Sequence, residues 1–243
     1  MDGTRAAHGA RDRVLAAEGR WVCGRYGPHH LLEGIGRYVR RAAPGREEEL
    51  LRAIRARADE LAEADGDLAV DGPSEGILRL SAVVLAAYEV LLPLFDGDAR
   101  RTHAYLRRQV GTLLKRPLEL SMSVIGQRED PLETFDAASR AGVAMYGTYF
   151  RFAFERPDPD TVQIRVGRCL FRDFFARHDA VPVTTVMCAW DKGWMAEIDP
   201  AESGLRAERT SLMSLGDDAC RFRVLRTDDP LAVHTDALDR ADA

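Results

Sequence analysis

Apolar residues in the first 143 positions recur every three or four residues, which is the spacing of an amphipathic α-helix. The pattern predicts a helical region over 1–143, with main helices at 11–26, 31–42, 46–64, 74–95 and 99–114. The segment 74–95 is the most apolar of these, so we expect it to be the central buried helix, with Ser74 as its N-cap. A further short helix is expected to open at Pro131, with Asp130 as its cap.

The pattern changes to a period of two near residue 144, which is typical of β-strands. Four runs alternate in this way, in two pairs that each flank a turn: 146–154 with 162–166, and 205–215 with 219–225. Two helices are expected between the pairs, the second opening at Pro182. The sequence therefore predicts an α+β protein, in which a four-stranded antiparallel sheet (ββααββ) over 144–226 is covered by helices. Residues 227–243 are an acidic tail with few core residues, which we expect to be loosely held.

The composition limits the classes of partner. The chain has 243 residues, 46% of them hydrophobic, and a net charge of −5, which argues against a nucleic-acid partner because such surfaces are basic. The apolar stretch 77–95 is interrupted by Arg79, Glu89 and Pro93, and the first residues lack the apolar segment of a signal peptide. We therefore expect a cytoplasmic protein that does not bind membranes and whose four cysteines are reduced.

The sharpest candidates for chemistry are Cys188 and Asp191, which lie three residues apart on the second of these helices and so share a face. A carboxylate can act as a general base, and a thiol can act as a nucleophile once it is ionised. Cys188 can equally be a small core residue, and Asp191 can equally pair with an arginine or lie exposed beside Lys192. Trp190 and Trp194 flank the aspartate, so both are included as substrate-binding candidates.

An arginine and two cysteines extend this set. Arg209 shares a strand face with small and apolar residues, where it can hold a substrate anion or pair with Asp191 or Glu197. Cys220 on the next strand and Cys169 at the end of the second strand can face a pocket or simply pack in the core. The cysteines show no Cys-x-x-Cys spacing and the chain has no nucleotide-binding motif, so we expect neither a metal nor another cofactor.

These residues belong to an ordered series of motifs. Cys169 ends a strand-like run and is followed by Cys-Ala-Trp-Asp at 188–191, Arg-Thr-Ser-Leu at 209–212 and Gly-Asp-Asp-Ala-Cys-Arg-Phe at 216–222. The series resembles the L-2-amino-thiazoline-4-carboxylic acid hydrolase family over about residues 140–226. The resemblance implies an α+β enzyme that opens a small sulfur- and nitrogen-containing ring by hydrolysis. It also implies site residues at Cys188, Asp191, Arg209 and Cys220, with Cys169 as a secondary candidate.

The function that this resemblance implies is that of a small-molecule tailoring enzyme of secondary metabolism, for example in antibiotic biosynthesis. Such an enzyme acts on a C–N bond of a small nitrogen heterocycle, and the excess of arginine would suit an anionic substrate. The same residues also fit ring closure, in which an amine displaces a sulfate-like leaving group, as in aziridine formation. Another alternative is a non-catalytic ligand-binding module of the vinyl-reductase type. The helical half could supply the contact face of a homo-oligomer or of a partner protein.

Overall fold

A computed structural model of the chain describes residues 2–241, with side chains from residue 9 onward. It has the predicted α+β class, with helices before and within the sheet region. The α-helices are α1 (Asp2–Trp21), α2 (Gly27–Ala42), α3 (Glu47–Ala64), α4 (Gly72–Leu91), α5 (Ala99–Val110), α6 (Lys115–Gly126), α7 (Pro131–Gly142), α8 (Leu170–Arg177), α9 (Thr184–Ala196) and α10 (Pro200–Ser203). The strands are β1 (Arg151–Asp158), β2 (Thr161–Arg168), β3 (Leu205–Ser211), β4 (Cys220–Arg226) and β5 (Thr235–Asp236).

Helix α4 is the central buried helix, as predicted. Fourteen of its 20 residues are buried, and it packs against α1, α3 and α8. The predicted N-cap is wrong by three residues: Asp71 is the N-cap and accepts from the Ser74 N–H at 2.9 Å, while the Asp71 N–H donates to the Ser74 hydroxyl at 2.8 Å. The two residues form a capping box, in which each side chain satisfies a backbone group of the other. The predicted cap of α7, Asp130, is confirmed by its 3.0 Å bond from the Glu133 N–H.

One helical segment of residues 2–241, Gly72–Phe95, is long and apolar enough by length and composition to cross a membrane. Most of its apolar window is buried inside the protein, where α4 forms the core. Length and hydropathy alone do not distinguish a membrane span from the core helix of a soluble protein, and the burial of this segment is what a core helix requires. The cytoplasmic location of the chain stays a prediction.

The sheet has five strands in the order β1-β2-β4-β3-β5, so the prediction of four antiparallel strands is wrong by one strand. The pairs among β1 to β4 are antiparallel, as predicted, whereas β5 pairs with β3 in parallel. The additional strand comes from the tail. Residues 234–238 of the tail are not loose: the Ala207 N–H donates to His234 Nδ1 at 2.9 Å, and Ala237 and Leu238 are buried. A two-residue strand was not predictable from alternation, because a period of two cannot be recognised in so short a segment.

The first predicted strand also begins later than expected. Residues Val143–Tyr146 form a 3₁₀ turn, and β1 starts only at Arg151. Between them Gly147 has φ +71°, a left-handed conformation that side chains other than glycine rarely adopt. The alternation of aromatic residues through this segment is therefore not a strand pattern, and the segment turns its side chains towards the interior in another way.

Candidate active site

Helix α9 places Cys188 and Asp191 on its inner face, against the sheet, as their spacing predicted. The helix is preceded by a 3₁₀ turn that contains Pro182, and it packs against α5. The Cys188 thiol lies 3.5 Å from the Ser214 hydroxyl in the connection between β3 and β4. The Cys188 carbonyl accepts a hydrogen bond from Arg209 Nη1 at 2.9 Å. These contacts fix the inner face of α9 against the third and fourth strands.

Arg209 lies at the centre of the site and is 1% exposed. Its Nε and Nη2 groups donate to the two carboxylate oxygens of Asp236, both at 2.7 Å. Its Nη1 group donates to the Cys188 carbonyl and lies 3.4 Å from Asp191 Oδ2. The guanidinium also lies over the Phe222 ring, 5.4 Å from its centroid. Of the two roles considered for Arg209, the structure shows the ion pair with Asp191 and leaves the guanidinium no exposed edge for a substrate anion.

Asp191 lies deep in the protein, but 32% of its side-chain surface is still accessible. Asp191 is therefore surrounded by protein on most sides, while part of its side chain stays accessible. Burial raises the pKa of Asp191 to about 6, while Arg209 lowers the pKa and the Asp236 charge raises it. The single ion pair at 3.4 Å is therefore too weak to offset the loss of hydration. A carboxylate with a pKa near 6 is suited to accept a proton at neutral pH.

The cysteines converge on this carboxylate. Burial raises the pKa of the Cys188 thiol to about 12 and that of Cys220 to about 11, and it raises the pKa of Cys169 well above its usual value. The charge of Asp191 acts on each of the three thiols in the same direction. Because a thiol attacks as thiolate, these pKa values disfavour Cys188 as a nucleophile. The three thiols are therefore small, protonated, polarisable groups at neutral pH.

The two tryptophans of α9 differ in their surroundings. Trp194 lies between Phe135 and Phe222, with ring centroids 5.5 and 6.0 Å away, and it lowers the pKa of Asp191 slightly. Trp190 is partly buried and packs against the hydrophobic core. The contacts that form the Arg209 cluster do not involve Trp190. Within residues 2–241, moreover, no group of three or more His, Cys, Asp or Glu side chains is placed to hold a metal ion.

Sequence reasoning missed two residues of this site. Asp236 binds Arg209 from the tail, and Ser214 contacts the Cys188 thiol. One signal for Asp236 was present: the apolar pair Ala237 and Leu238 follows it in an otherwise polar tail.

The fold and the site define an α+β protein with a buried carboxylate–guanidinium cluster between a helix and the sheet. A comparison with known families then identifies the family: the profile described as L-2-amino-thiazoline-4-carboxylic acid hydrolase matches residues 85–224. The chain belongs to this family, as the resemblance predicted. A search of curated proteins finds no match. The matched region includes Cys169, Cys188, Asp191 and Arg209, whereas Asp236 lies beyond its end.

Proposed function

We propose that this protein is a hydrolase that opens a small sulfur- and nitrogen-containing heterocycle at a C–N bond, with Asp191 as the general base. The observation that carries the proposal is the Asp191 carboxylate, which is deep, partly accessible and has a pKa raised to about 6. Membership in the hydrolase family supports the same reaction class. We further propose a cytoplasmic tailoring role in secondary metabolism that requires no cofactor.

In the proposed reaction, Asp191 removes a proton from a water molecule as the water oxygen bonds to the amidine-like carbon of the ring. The C–N bond of the ring then breaks, and the departing nitrogen takes up the proton that Asp191 holds. The products contain the atoms of the substrate and one water, and the carboxylate is regenerated. Because the base must be ionised, the rate rises with pH through the pKa of Asp191, about 6.

In this proposal Arg209 is a positioning residue rather than an anion-binding residue. Asp236 holds two of its N–H groups, and the third side of the guanidinium orients the Cys188 carbonyl and Asp191. Two carboxylates share one guanidinium, so the cluster favours the basic amidine end of a substrate over its carboxylate. An anionic substrate would therefore bind with its negative group directed away from Arg209.

The direct test incubates the purified protein with L-2-amino-thiazoline-4-carboxylic acid and follows a mass increase of one water by mass spectrometry. We expect turnover by the wild type and a loss of about a hundredfold or more in Asp191→Asn, because the amide cannot accept the proton. Asp239→Asn is the matched control, since Asp239 is an exposed aspartate that pairs with Lys192 on the other side of α9. No ring opening by the wild type at high enzyme concentration would refute this function.

Two other functions remain as outcomes of the same experiment. A ring-closing enzyme would use Asp191 to deprotonate a substrate amine, and mass spectrometry would show loss of a sulfate-like group without gain of water. A ligand-binding module or a subunit that supports a partner enzyme would need no base. In that case Asp191→Asn would leave ligand binding or partner activity unchanged.

A further inference from the structure

We propose that His234 is a positioning residue of this site, which holds the tail in the register that places Asp236 against Arg209. The proposal rests on the proposed function, in which Asp191 is the base, and it adds a residue that lies beyond the region matched by the family profile. His234 lies immediately before β5, and Asp236 is the last residue of that strand. In this role His234 contacts no substrate and acts through Asp236.

The imidazole of His234 has a hydrogen-bond partner at each ring nitrogen. Nδ1 accepts from the Ala207 N–H at 2.9 Å, and Nε2 lies 2.8 Å from the Ile198 carbonyl oxygen. Because a carbonyl oxygen can only accept, Nε2 carries the hydrogen, and Nδ1 has its lone pair free for the Ala207 N–H. The two contacts therefore select one form of the ring, the neutral tautomer that is protonated at Nε2.

The two partners of this ring belong to the elements that carry the ion pair of the site. Ala207 lies on β3, two residues before Arg209. Ile198 lies two residues beyond the end of α9, the helix that carries Asp191. One side chain of the tail thus joins the strand of Arg209 to the segment that follows the helix of Asp191. A displacement of His234 would move the tail relative to both elements.

The ring also completes the hydrogen bonding at the edge of β3. Strand β5 has only two residues, and its pairing with β3 begins at Thr235, opposite Glu208. The N–H group of Ala207 lies one residue before this pairing, and Ala207 is fully buried. A buried N–H group needs a partner, and His234 Nδ1 supplies it where the backbone of a longer strand would otherwise do so. The contact therefore fixes the register of the tail on β3.

This register decides which side chains of the tail face the site. Successive side chains of a strand alternate, so His234 and Asp236 share one side. Val233 and Thr235 are exposed on the other side, as the alternation requires. In this register Asp236 presents its two oxygens to Arg209 Nε and Nη2, both at 2.7 Å. A slip by one residue would direct the carboxylate away from Arg209.

The position of Asp236 in turn determines how closely Arg209 pairs with Asp191. Arg209 Nη1 lies 3.4 Å from Asp191 Oδ2, because the other donors of the guanidinium are held by Asp236. A tail that is no longer held by His234 would release these donors and let Arg209 approach Asp191. Closer pairing with a cation stabilises the ionised carboxylate, so the titration of Asp191 should move to lower pH.

The test measures the titration of Asp191 by NMR, without substrate, in full-length protein that carries isotope-labelled aspartate. Asp191→Asn identifies the carboxyl signal. We expect the midpoint to fall by about half a pH unit or more in His234→Ala. Val233→Ala is the matched control, because its side chain is 77% exposed, and it should leave the midpoint unchanged. A residue that only supports folding would not move this midpoint, and circular dichroism melts check folding.

Two further variants test the route through Ala207 and Asp236. His234→Asn places an amide oxygen where Nδ1 lies, so it can accept from the Ala207 N–H and should restore most of the wild-type midpoint. His234→Ala combined with Asp236→Asn should shift the midpoint no further than Asp236→Asn alone, because both changes act through one carboxylate. If His234→Ala does not fold, His234→Gln takes its place, since its amide can donate to the Ile198 carbonyl while the acceptor at Nδ1 is lost.

The outcomes separate this inference from the proposed function. An unchanged midpoint in folded His234→Ala, or additive shifts in the double variant, overturns the role of His234 even if the wild type opens the ring. A wild type that does not open the ring refutes the proposed function, whereas the NMR titration still decides whether His234 positions Asp236.

Discussion

Asp65 and Asp191 are both aspartates that pair with an arginine, but the two regions that contain them are built differently. Asp65, at the end of α3, has a side chain that is 7% exposed and binds Arg177, the last residue of α8, and His178, which follows it. Arg177 Nη1 donates to it at 2.9 Å, and His178 Nε2 lies 2.5 Å from its other oxygen. Asp191 has one arginine at 3.4 Å, and that arginine is already held by Asp236.

The difference shows how the pairing of a carboxylate distinguishes a structural ion pair from a group that is available for chemistry. Both oxygens of Asp65 have a short bond to a basic side chain, so this carboxylate connects α3 to α8 and has no accessible edge for a ligand. Asp191 keeps accessible surface and a raised pKa because its partner is shared. Incomplete pairing in a deep position is costly for stability and is typical of a group that is used in chemistry.

Of the tests that compare the two aspartates, the one with the largest expected effect measures the stability of an Asp65 variant. Asp65→Asn should lower the free energy of unfolding by about 2 kcal/mol, because a buried ion pair is broken and basic groups of α8 lose their partner. Urea unfolding followed by circular dichroism measures the change. Asp67→Asn is the control: Asp67 also binds Arg177 but its side chain is 63% exposed, so we expect a much smaller loss of stability.

The Asp65→Asn variant should leave kcat unchanged if the two regions have separate roles. Below its shifted unfolding transition, Asp65→Asn should retain kcat within about twofold of the wild type, whereas Asp191→Asn should not. A variant of Asp65 that stays folded but loses turnover would contradict the separation of the two carboxylates.

Local periodicity was enough to predict which side chains of α9 and β3 point inwards. The i, i+3 spacing placed Cys188 and Asp191 on one helix face, and the alternation of β3 placed Arg209 on the buried face of the sheet. Both predictions depend on geometry within a single element. The antiparallel pairing of β1 to β4 followed from the order of strands and turns in the same way.

The partners of these residues were not predictable, because they come from distant parts of the chain. Asp236 reaches Arg209 through a two-residue parallel strand, and 27 residues separate the two in sequence. Ser214 reaches the Cys188 thiol from the connection between β3 and β4, and 26 residues separate the two in sequence. Neither arrangement leaves a periodic signal in the sequence. The residues of the site on α9 and β3 were therefore predicted, whereas their partners from other segments were missed.

The next test measures the pH dependence of the rate and asks whether Asp236 sets the pKa of Asp191. The wild-type profile of kcat/KM should rise through a pKa of about 6. Asp236→Asn removes a charge that raises the pKa of Asp191 and releases Arg209 to pair with Asp191 more closely, so the acidic limb should move down by about one pH unit. Asp239→Asn, in the same segment but on the surface, should leave the limb in place. An upward shift in Asp236→Asn would mean that Arg209 leaves Asp191 rather than approaching it.

The smallest expected effect is a gain in stability when Asp191 is replaced. The native protein binds a proton at Asp191 more tightly than the unfolded chain, so the contribution of this group to stability falls as pH rises from 3.8 to about 6. Asparagine carries no charge, and Asp191→Asn should therefore be more stable than the wild type by about 1 kcal/mol at pH 7.5, a value reduced for the accessible part of the side chain. The gain should shrink as pH falls below 6 and vanish below 3.8, which urea unfolding at several pH values can follow. A variant that is less stable than the wild type at pH 7.5 would show that the ion pair with Arg209 outweighs the cost of burying this charge, and that Asp191 resembles Asp65 after all.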